Sequence, residues 1–236
     1  MNKLLLAIPH SSTKLMDLEL KNLLISDIKR ESILNADLYT NELFDSFDLK
    51  NDVMKVVFDV SRYSIDVERY WDNDKEICYN KGKGKFYTKL DNGLVYRKEN
   101  DITSDYNEKY FSYHNTLKDM IENKHCNFLI DCHSFNDFDN KYTAFCIGFN
   151  NDKTKPSKKL IDDICILLSK FNKTFSFNFP YSGSMTVNTN NEYKSLMIEV
   201  NKNLYLKNNY IDKKSDFYKT HNLITSILKI CLSEEI

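Results

Sequence analysis

Short apolar runs rich in β-branched residues alternate along this chain with longer segments of helical periodicity. The strand-like runs lie at 3–8, 53–60 (VMKVVFDV), 127–132 (NFLIDC), 142–148 (YTAFCIG) and 195–200 (SLMIEV). Apolar residues recur at helical spacing over 15–47, 105–122, 157–171 and 215–233. Strands that alternate with helices predict an α/β fold of three layers, α/β/α, around a mixed, largely parallel central sheet.

The length of the chain favours one domain. A chain of 236 residues can bury a single sizeable core, so one domain over 1–236 is expected. The segment 70–102 interrupts the pattern because it is polar and contains many Lys and Asn residues together with three of the five glycines. We interpret it as a long loop or hairpin insertion.

Charge and hydropathy exclude several classes of partner. The 33 basic and 34 acidic residues leave a formal net charge of -1, so no broad field favours nucleic acid or an anionic membrane, and a local patch is the alternative. The apolar run LLLAI at 4–8 is too short for a membrane span or a secretion signal. We therefore expect a soluble, cytoplasmic protein with neither nucleic acid nor membrane as a partner.

The six cysteines are predicted to be reduced and structural. No CxxC pair occurs, and most of the cysteines lie inside apolar stretches. Without a secretion signal they are interpreted as small buried hydrophobic residues rather than as a disulfide framework. Cys132 is adjacent to His133 on a predicted strand, so its side chain should point to the opposite face.

Polar residues accompany three of the predicted strands. His10 follows the first strand, Asp131 and His133 end a central strand, and Glu199 lies within the last apolar run. Ligands of open α/β sheets bind beyond the carboxyl ends of strands. Each histidine alone also fits a structural, hydrogen-bonded role. Two such histidines together with a buried glutamate favour a catalytic zinc site, which uses His and carboxylate ligands and keeps one position open.

The stretch VVFDVSRYSIDVERY is the second informative region. It carries Asp59, Arg62, Asp66, Glu68 and Arg69 after a predicted strand. A solvated charged turn explains its composition equally well. If a metal lies nearby, two arginines supply forked donors for a substrate carboxylate or a developing oxyanion.

Seven motifs together resemble the N-formylglutamate amidohydrolase family. In chain order they are PHSS at 9–12, ADLYTNELF at 36–44, DVSRYSIDVER at 59–69, YFSYHNTL at 110–117, DCHS at 131–134, FPYSGSMT at 179–186 and IEVNKNLY at 198–205. Any one of them is weak, but seven in register over nearly the whole chain are specific. The family is similar to the wider zinc carboxypeptidase and aspartoacylase group, which implies a zinc-carboxypeptidase or phosphorylase-hydrolase-like fold.

The resemblance implies one zinc ion held by two histidines and a carboxylate. His10 and His133 match the histidine positions. The wider group has an HxxE motif, whereas His10 is followed by Ser-Ser-Thr, so the carboxylate must come from elsewhere. Asp37 is the candidate by its position in the family pattern, and a helix-surface aspartate is the alternative. Asp131 would be an outer-shell carboxylate that supports the site.

The resemblance also implies roles for residues around the metal. Glu199 would act as general base on a metal-activated water, with an ion pair to an arginine as the structural alternative. Arg62 would steady the tetrahedral oxyanion. Substrate contacts are assigned to Arg69, His114, Tyr181, Ser182 and Gly183. For His114 a core-packing role is equally compatible, and the PYSGS segment is expected to form a loop over the pocket.

The predicted reaction is hydrolysis of the amide bond of N-formylglutamate or a similar small N-acyl amino acid. Two departures bear on the substrate: Glu68 stands where many members carry an amide, and Lys202 where relatives often have arginine. One alternative is a metallopeptidase or amidase acting on a peptide or cell-wall fragment, with 70–102 shaping a larger cleft. The other is an inactive protein that binds an acidic ligand.

Overall fold

The structure, a computed structural model, describes residues 3–137 and 143–234. The chain forms two compact units. The sheet unit consists of Met1–Ile8, Tyr39–Val56 and Thr116–Ile236. The insertion unit consists of Pro9–Leu38 and Val57–Asn115 and contains the segment 70–102. The single domain expected over 1–236 stays a prediction.

One mixed sheet forms the centre of the sheet unit. Its strands are Leu4–Ile8 (β1), Val53–Val57 (β2), Phe128–Phe135 (β3), Phe145–Gly148 (β4), Phe175–Phe177 (β5) and Lys194–Asn201 (β6). Their order across the sheet is β2-β1-β3-β6-β4-β5. The pairs β1–β3, β3–β6 and β4–β5 are parallel, and β4–β6 is antiparallel. The predicted α/β class and the mixed, largely parallel sheet are confirmed.

The central strands are buried on both faces. Every residue of β1 and β3 is buried, which explains why these strands are near-continuous apolar runs rather than alternating ones. The register pairs Ala7 with Asp131 and His133 with Glu199. Because β1, β3 and β6 are parallel, their carboxyl ends lie at one edge of the sheet.

Six α-helices accompany the strands among the described residues. They are Asp17–Leu20 (α1), Ile25–Leu34 (α2), Thr40–Leu43 (α3), Ser104–Glu122 (α4), Lys158–Lys170 (α5) and Phe217–Leu232 (α6). Ser157 caps α5 by accepting a hydrogen bond from the amide of Leu160 at 3.1 Å. Within the sheet unit, α6 packs on both β1 and α5. No helix of the described ranges is both long and apolar enough to cross a bilayer.

Most predicted elements are found, with three differences. The helical segment 15–47 is divided into short helices, because the Asn22 side chain accepts from the Leu24 amide at 2.8 Å and forms a local turn that competes with the helix. The three-residue strand β5 was not predicted, since it is too short to show a period. The strand expected at 142–148 begins at Phe145, and Tyr142 lies outside the described residues.

The segment 70–102 is packed into the insertion unit. It contains short 3-10 turns and one isolated bridge, between Lys89 and Val95. Tyr87, Leu90 and Tyr96 join a hydrophobic core whose other buried members are Leu15, Ile28 and Tyr63. The buried Arg97 guanidinium pairs with Glu19 and donates to the Ser64 carbonyl at 2.7 Å. Loss of one partner from such a buried pair is strongly destabilising, so this ion pair fastens the segment.

Candidate functional site

His10 lies two residues beyond β1, and its imidazole is 3% exposed. Its Nε2 donates to Asp66 Oδ1 at 2.8 Å. Its Nδ1 faces two further carboxylates, at 3.8 Å from Asp37 Oδ2 and 3.5 Å from Glu68 Oε2. Both ring nitrogens therefore lie beside acidic oxygens, and the hydrogen bond to Asp66 fixes the plane of the ring.

Asp66 is held by several donors of the insertion unit. Its Oδ1 also accepts from the Glu68 amide at 3.1 Å. Its Oδ2 accepts from the Tyr87 hydroxyl at 2.8 Å and from Arg69 Nε at 3.3 Å. Burial alone would raise the pKa of Asp66, but the interaction with His10 and the charges of Arg69 and Arg62 hold this pKa well below its ordinary value. The carboxylate is thus an ionised and well-supported acceptor for His10.

Asp37 lies in the loop between α2 and α3, and it is buried. Its amide donates to the His10 carbonyl at 2.8 Å, so the backbone brings the two residues together. The sequence alternative of an aspartate on a helix surface is wrong, because Asp37 is neither helical nor exposed. Its Oδ2 lies 3.7 Å from a terminal nitrogen of Arg62.

Arg62 adds a positive charge beside Asp37. Burial alone would lower the pKa of Arg62, but Asp37 and other acidic groups around it raise that pKa above its ordinary value. The guanidinium therefore stays charged. Among the described residues, its buried Nε has no hydrogen-bond partner. A buried N–H without an acceptor is costly unless a ligand satisfies it.

Arg69 is engaged inside the protein. Besides Asp66, its guanidinium pairs with Glu76 Oε1 at 3.5 Å. Its carbonyl accepts from the Tyr110 hydroxyl at 2.7 Å. The positive charge thus lies between two carboxylates of the same unit. The substrate-binding role predicted for Arg69 stays a prediction, and the observed contacts give it the role of supporting Asp66.

The ring of His114 on α4 packs against that of Tyr110 in a tilted arrangement, with centroids 4.6 Å apart and an interplanar angle of 44°. Burial lowers the pKa of His114, against the smaller opposing effects of a hydrogen bond to the Val67 backbone and the charge of Glu68. The imidazole is therefore neutral near pH 7. Its Nε2 is buried without a hydrogen-bond partner in the described part of the chain. His114 combines the predicted core packing with one acceptor or donor position that a ligand could use.

In the sheet unit, Asp131 and His133 lie two residues apart on β3, so their side chains share one face. His133 Nε2 donates to Asp131 Oδ1 at 2.9 Å. Asp131 Oδ2 in turn accepts from the Met185 amide at 2.9 Å. Cys132 lies between them and points to the opposite face, as the sequence predicts.

Glu199 on β6 belongs to the same face as His133. The two residues are register partners in the parallel pair β3–β6, and Cys146 of β4 is the antiparallel partner of Glu199 on its other side. Only 6% of Glu199 is exposed. An ionised carboxylate at such a position is costly unless it has a partner or a task.

The segment 178–187 covers part of this face. The Tyr181 carbonyl accepts from the Cys146 thiol at 3.3 Å, and the Tyr181 ring lies 6.0 Å from that of Phe135. The Ser184 hydroxyl bonds to that of Ser195 on β6 at 2.6 Å. The predicted PYSGS loop therefore lies over the face that carries His133 and Glu199. Ser182 is exposed on it.

The backbones of β4 and of the loop 178–187 approach closely, and glycine is needed on both segments. Gly183 has a φ of 81°, a backbone conformation that residues other than glycine rarely adopt. A Cβ on Gly148 of β4 would collide with the Gly183 carbonyl oxygen and with Met197 Cε. The close approach of the loop to β4 thus depends on glycine at position 148 as well as at position 183.

A match to a protein-family model shows the family to which this chain belongs. The family model described as N-formylglutamate amidohydrolase matches residues 2–206. This chain belongs to that family. The activity that follows at the coarse level is hydrolysis of an amide bond.

Two solved structures have a similar fold. N-formylglutamate amidohydrolase from Ralstonia eutropha JMP134 has a TM-score of 0.78 at 16% identity, over 96% of this chain and 92% of that one. Gene product Atu2144 from Agrobacterium tumefaciens has a TM-score of 0.65 at 16% identity, over 97% of this chain and 90% of that one. No curated protein matches the chain in sequence. At these identities the structural matches establish the fold alone.

The N-formylglutamate amidohydrolase motifs contain two sets of predicted residues, one in each unit. His10, Asp37 and Arg62 form one set in the insertion unit, and Asp131, His133 and Glu199 form the other in the sheet unit. By residue type and burial, His10, Asp37 and His133 could hold a metal ion. The remaining histidines lie elsewhere: His125 is exposed, and His221 bonds to the Leu43 carbonyl.

Sequence reasoning missed two supporting groups in this member of the family. Tyr87 lies in the polar segment 70–102, which shows no period and belongs to none of the seven motifs. The Met185 amide acts through the backbone, so no residue type marks it. Asp66 belongs to the motif DVSRYSIDVER at 59–69, but nothing in the sequence indicates that it accepts a hydrogen bond from His10.

We expect Gly148→Ala to loosen the loop 178–187. The added methyl group collides with the Gly183 carbonyl and Met197, and overpacking of this kind costs roughly 1–3 kcal/mol. Chemical denaturation measures the loss of stability, and hydrogen exchange at the Met185 amide measures the loosening. Gly93→Ala is the control: its Cβ would meet no atom within 4 Å, so only the positive φ of Gly93 is penalised. Unchanged exchange at Met185 in Gly148→Ala would contradict the packing described.

Proposed function

We propose that this chain is a zinc-dependent amidohydrolase that cleaves the amide bond of N-formylglutamate or a similar small N-acyl amino acid. One observation carries the proposal: two buried histidines each donate from Nε2 to an aspartate. The His10–Asp66 distance is 2.8 Å and the His133–Asp131 distance is 2.9 Å. Metal-binding histidines almost always donate their other ring N–H to such a partner.

The residue types fit a zinc ion. With Nε2 engaged in both histidines, Nδ1 is the nitrogen through which each would bind, and Asp37 lies beside His10 Nδ1. We therefore propose His10, Asp37 and His133 as the ligands of one zinc. Two imidazoles with one carboxylate are a common set at catalytic zinc, whereas calcium and magnesium prefer oxygen ligands alone. A bound zinc would act as a Lewis acid and make water nucleophilic near neutral pH.

Glu199 is proposed as the general base. It is buried, it is ionisable, and it shares a face and a register position with His133. Its carboxylate would take a proton from the attacking water. The water oxygen would bond to the carbonyl carbon, and the same carboxyl would then deliver the proton to the amide nitrogen as the C–N bond breaks, which releases the carboxylic acid and the amine. A carboxylate with a purely structural role would take part in neither of these two proton transfers.

Arg62 is proposed to stabilise the developing oxyanion. Its charge is maintained by Asp37, and its Nε is a buried donor with no acceptor in the described residues. As the carbonyl carbon becomes tetrahedral, negative charge develops on its oxygen. A fixed guanidinium donor stabilises that charge more than it stabilises the substrate carbonyl.

The remaining contacts are proposed for substrate binding. His114 offers a neutral imidazole with its buried Nε2 available to a polar group of the substrate. Tyr181, Ser182 and Gly183 would contribute from the loop over the sheet face. Arg69 is also proposed as a substrate-binding residue, although its observed ion pairs are with Asp66 and Glu76. We propose a small-molecule substrate and a cytoplasmic location, without nucleic acid or membrane as a partner.

A panel of N-acyl amino acids tests this function. We expect the zinc-loaded protein to release the free amino acid from N-formylglutamate or a close analogue, and the chelator-treated protein to be inactive until zinc is restored. Product amine is measured by derivatisation. A peptide and a cell-wall fragment belong in the panel: cleavage of these alone would contradict the substrate class. Absence of both hydrolysis and stoichiometric zinc would support the inactive binder instead.

Glu199→Gln separates catalysis from structure. Gln keeps the shape of the side chain but cannot accept the proton, so we expect turnover to fall by roughly 10²–10⁴-fold. Zinc content and melting temperature should stay at wild-type values. Glu192→Gln is the matched control, because Glu192 is exposed just before β6. A Glu199→Gln protein that melts early yet hydrolyses substrate at the wild-type rate would make Glu199 a structural residue.

A further inference from the structure

Tyr87 is connected to His10 through one buried carboxylate. The Tyr87 hydroxyl donates to Asp66 Oδ2 at 2.8 Å, and Asp66 Oδ1 accepts from His10 Nε2 at 2.8 Å. The two oxygens of a single carboxylate therefore join a tyrosine of the segment 70–102 to the histidine that follows β1. The exposed fractions are 4% for Tyr87, 0% for Asp66 and 3% for His10. Bulk water cannot replace a member of this chain of hydrogen bonds.

The position of Tyr87 is fixed by packing. Its ring makes an edge contact with Tyr63 at a centroid distance of 5.4 Å, within the core that also contains Leu90 and Tyr96. Burial, with a further contribution from Asp66, raises the pKa of the Tyr87 phenol. The hydroxyl therefore remains a donor, and the rigid ring allows it little choice of direction.

Arg69 alone is a weaker support for the same oxygen. Its Nε lies 3.3 Å from Asp66 Oδ2, against 2.8 Å for the Tyr87 hydroxyl, and its guanidinium is shared with Glu76. Without the hydroxyl, Oδ2 would keep, among the residues that the structure describes, only the longer contact with Arg69. The carboxylate could then rotate, and the His10 ring would rotate with it.

We propose that Tyr87 is a positioning residue for His10: it holds Asp66 so that His10 keeps Nε2 on the carboxylate and presents Nδ1 towards Asp37. The inference rests on the proposed function in that His10 is taken as a zinc ligand. It also gives the segment 70–102 a task, because this segment delivers one hydroxyl to the support of the site.

Tyr87→Phe tests the inference, with Tyr96→Phe as the matched control. Both substitutions remove one hydroxyl from the same buried core, and the Tyr96 hydroxyl donates to the Tyr63 carbonyl at 2.6 Å instead of to Asp66. Loss of a direct outer-shell partner weakens metal binding about 10–100-fold. Tyr87 acts one bond further out, so we expect zinc affinity to fall roughly 3- to 10-fold in Tyr87→Phe. In Tyr96→Phe it should stay near the wild-type value.

Two spectroscopic readouts do not depend on turnover. The visible absorption of the cobalt-loaded protein should change in Tyr87→Phe and not in Tyr96→Phe. In metal-free protein with ¹⁵N-labelled histidine, the His10 ring should carry its proton on Nε2 in the wild type and show a mixture of tautomers in Tyr87→Phe. Equal affinities, spectra and tautomers in the two variants would overturn the inference.

Failure of the proposed function is distinguishable from failure of this inference. If wild-type protein binds no zinc, or His10→Ala binds it as well as wild type, the proposed metal site is wrong, while the tautomer measurement still decides the role of Tyr87. If Tyr87→Phe does not fold, Asp66→Asn serves as the second variant. It removes the carboxylate through which Tyr87 acts on His10 and should lower zinc affinity about 10–100-fold. Wild-type affinity in that variant would overturn the inference.

Discussion

The candidate site depends on buried hydrogen bonds between an aspartate and a histidine. A carboxylate removed from water is costly unless donors surround it, and each of these aspartates meets that requirement in its own unit. Asp131 accepts hydrogen bonds from His133 and from the Met185 amide. Asp66 accepts one from His10 in addition to those from its other donors. Once these bonds are formed, the orientation of both imidazoles is fixed, and with it the nitrogen that each can offer to a ligand.

The surrounding structure supplies the hydrogen-bond donors that these buried aspartates require. In the sheet unit, the two-residue period of β3 places Asp131 and His133 on one face, and the parallel register with β6 adds Glu199 to it. The loop 178–187 approaches closely enough to supply the Met185 amide because residue 148 is glycine. In the insertion unit, the equivalent support comes from side chains, and the polar segment 70–102 is packed so that Tyr87 reaches Asp66.

The sequence predicted the strands better than it predicted the support of the site. The runs NFLIDC and SLMIEV are apolar and long enough to be strands, so the face with His133 and Glu199 could be anticipated from periodicity and strand ends. Asp37 could be found only through the family motif. Tyr87 could not be found, because a hydrogen bond between residues 66 and 87 leaves no period in the sequence. Arg69 was given a substrate role, and its observed contacts with Asp66 and Glu76 were equally invisible.

Anomalous diffraction from zinc-loaded crystals is the most direct test of the central claim, that two aspartate-supported histidines bind a catalytic metal. Data collected above and below the zinc absorption edge identify the ion and its ligands. We expect one anomalous peak about 2.0–2.2 Å from Nδ1 of His10, from Nδ1 of His133 and from an oxygen of Asp37. If another acid such as Glu68 replaced Asp37, only that ligand assignment would fall. Absence of a peak within reach of both histidines would contradict the account.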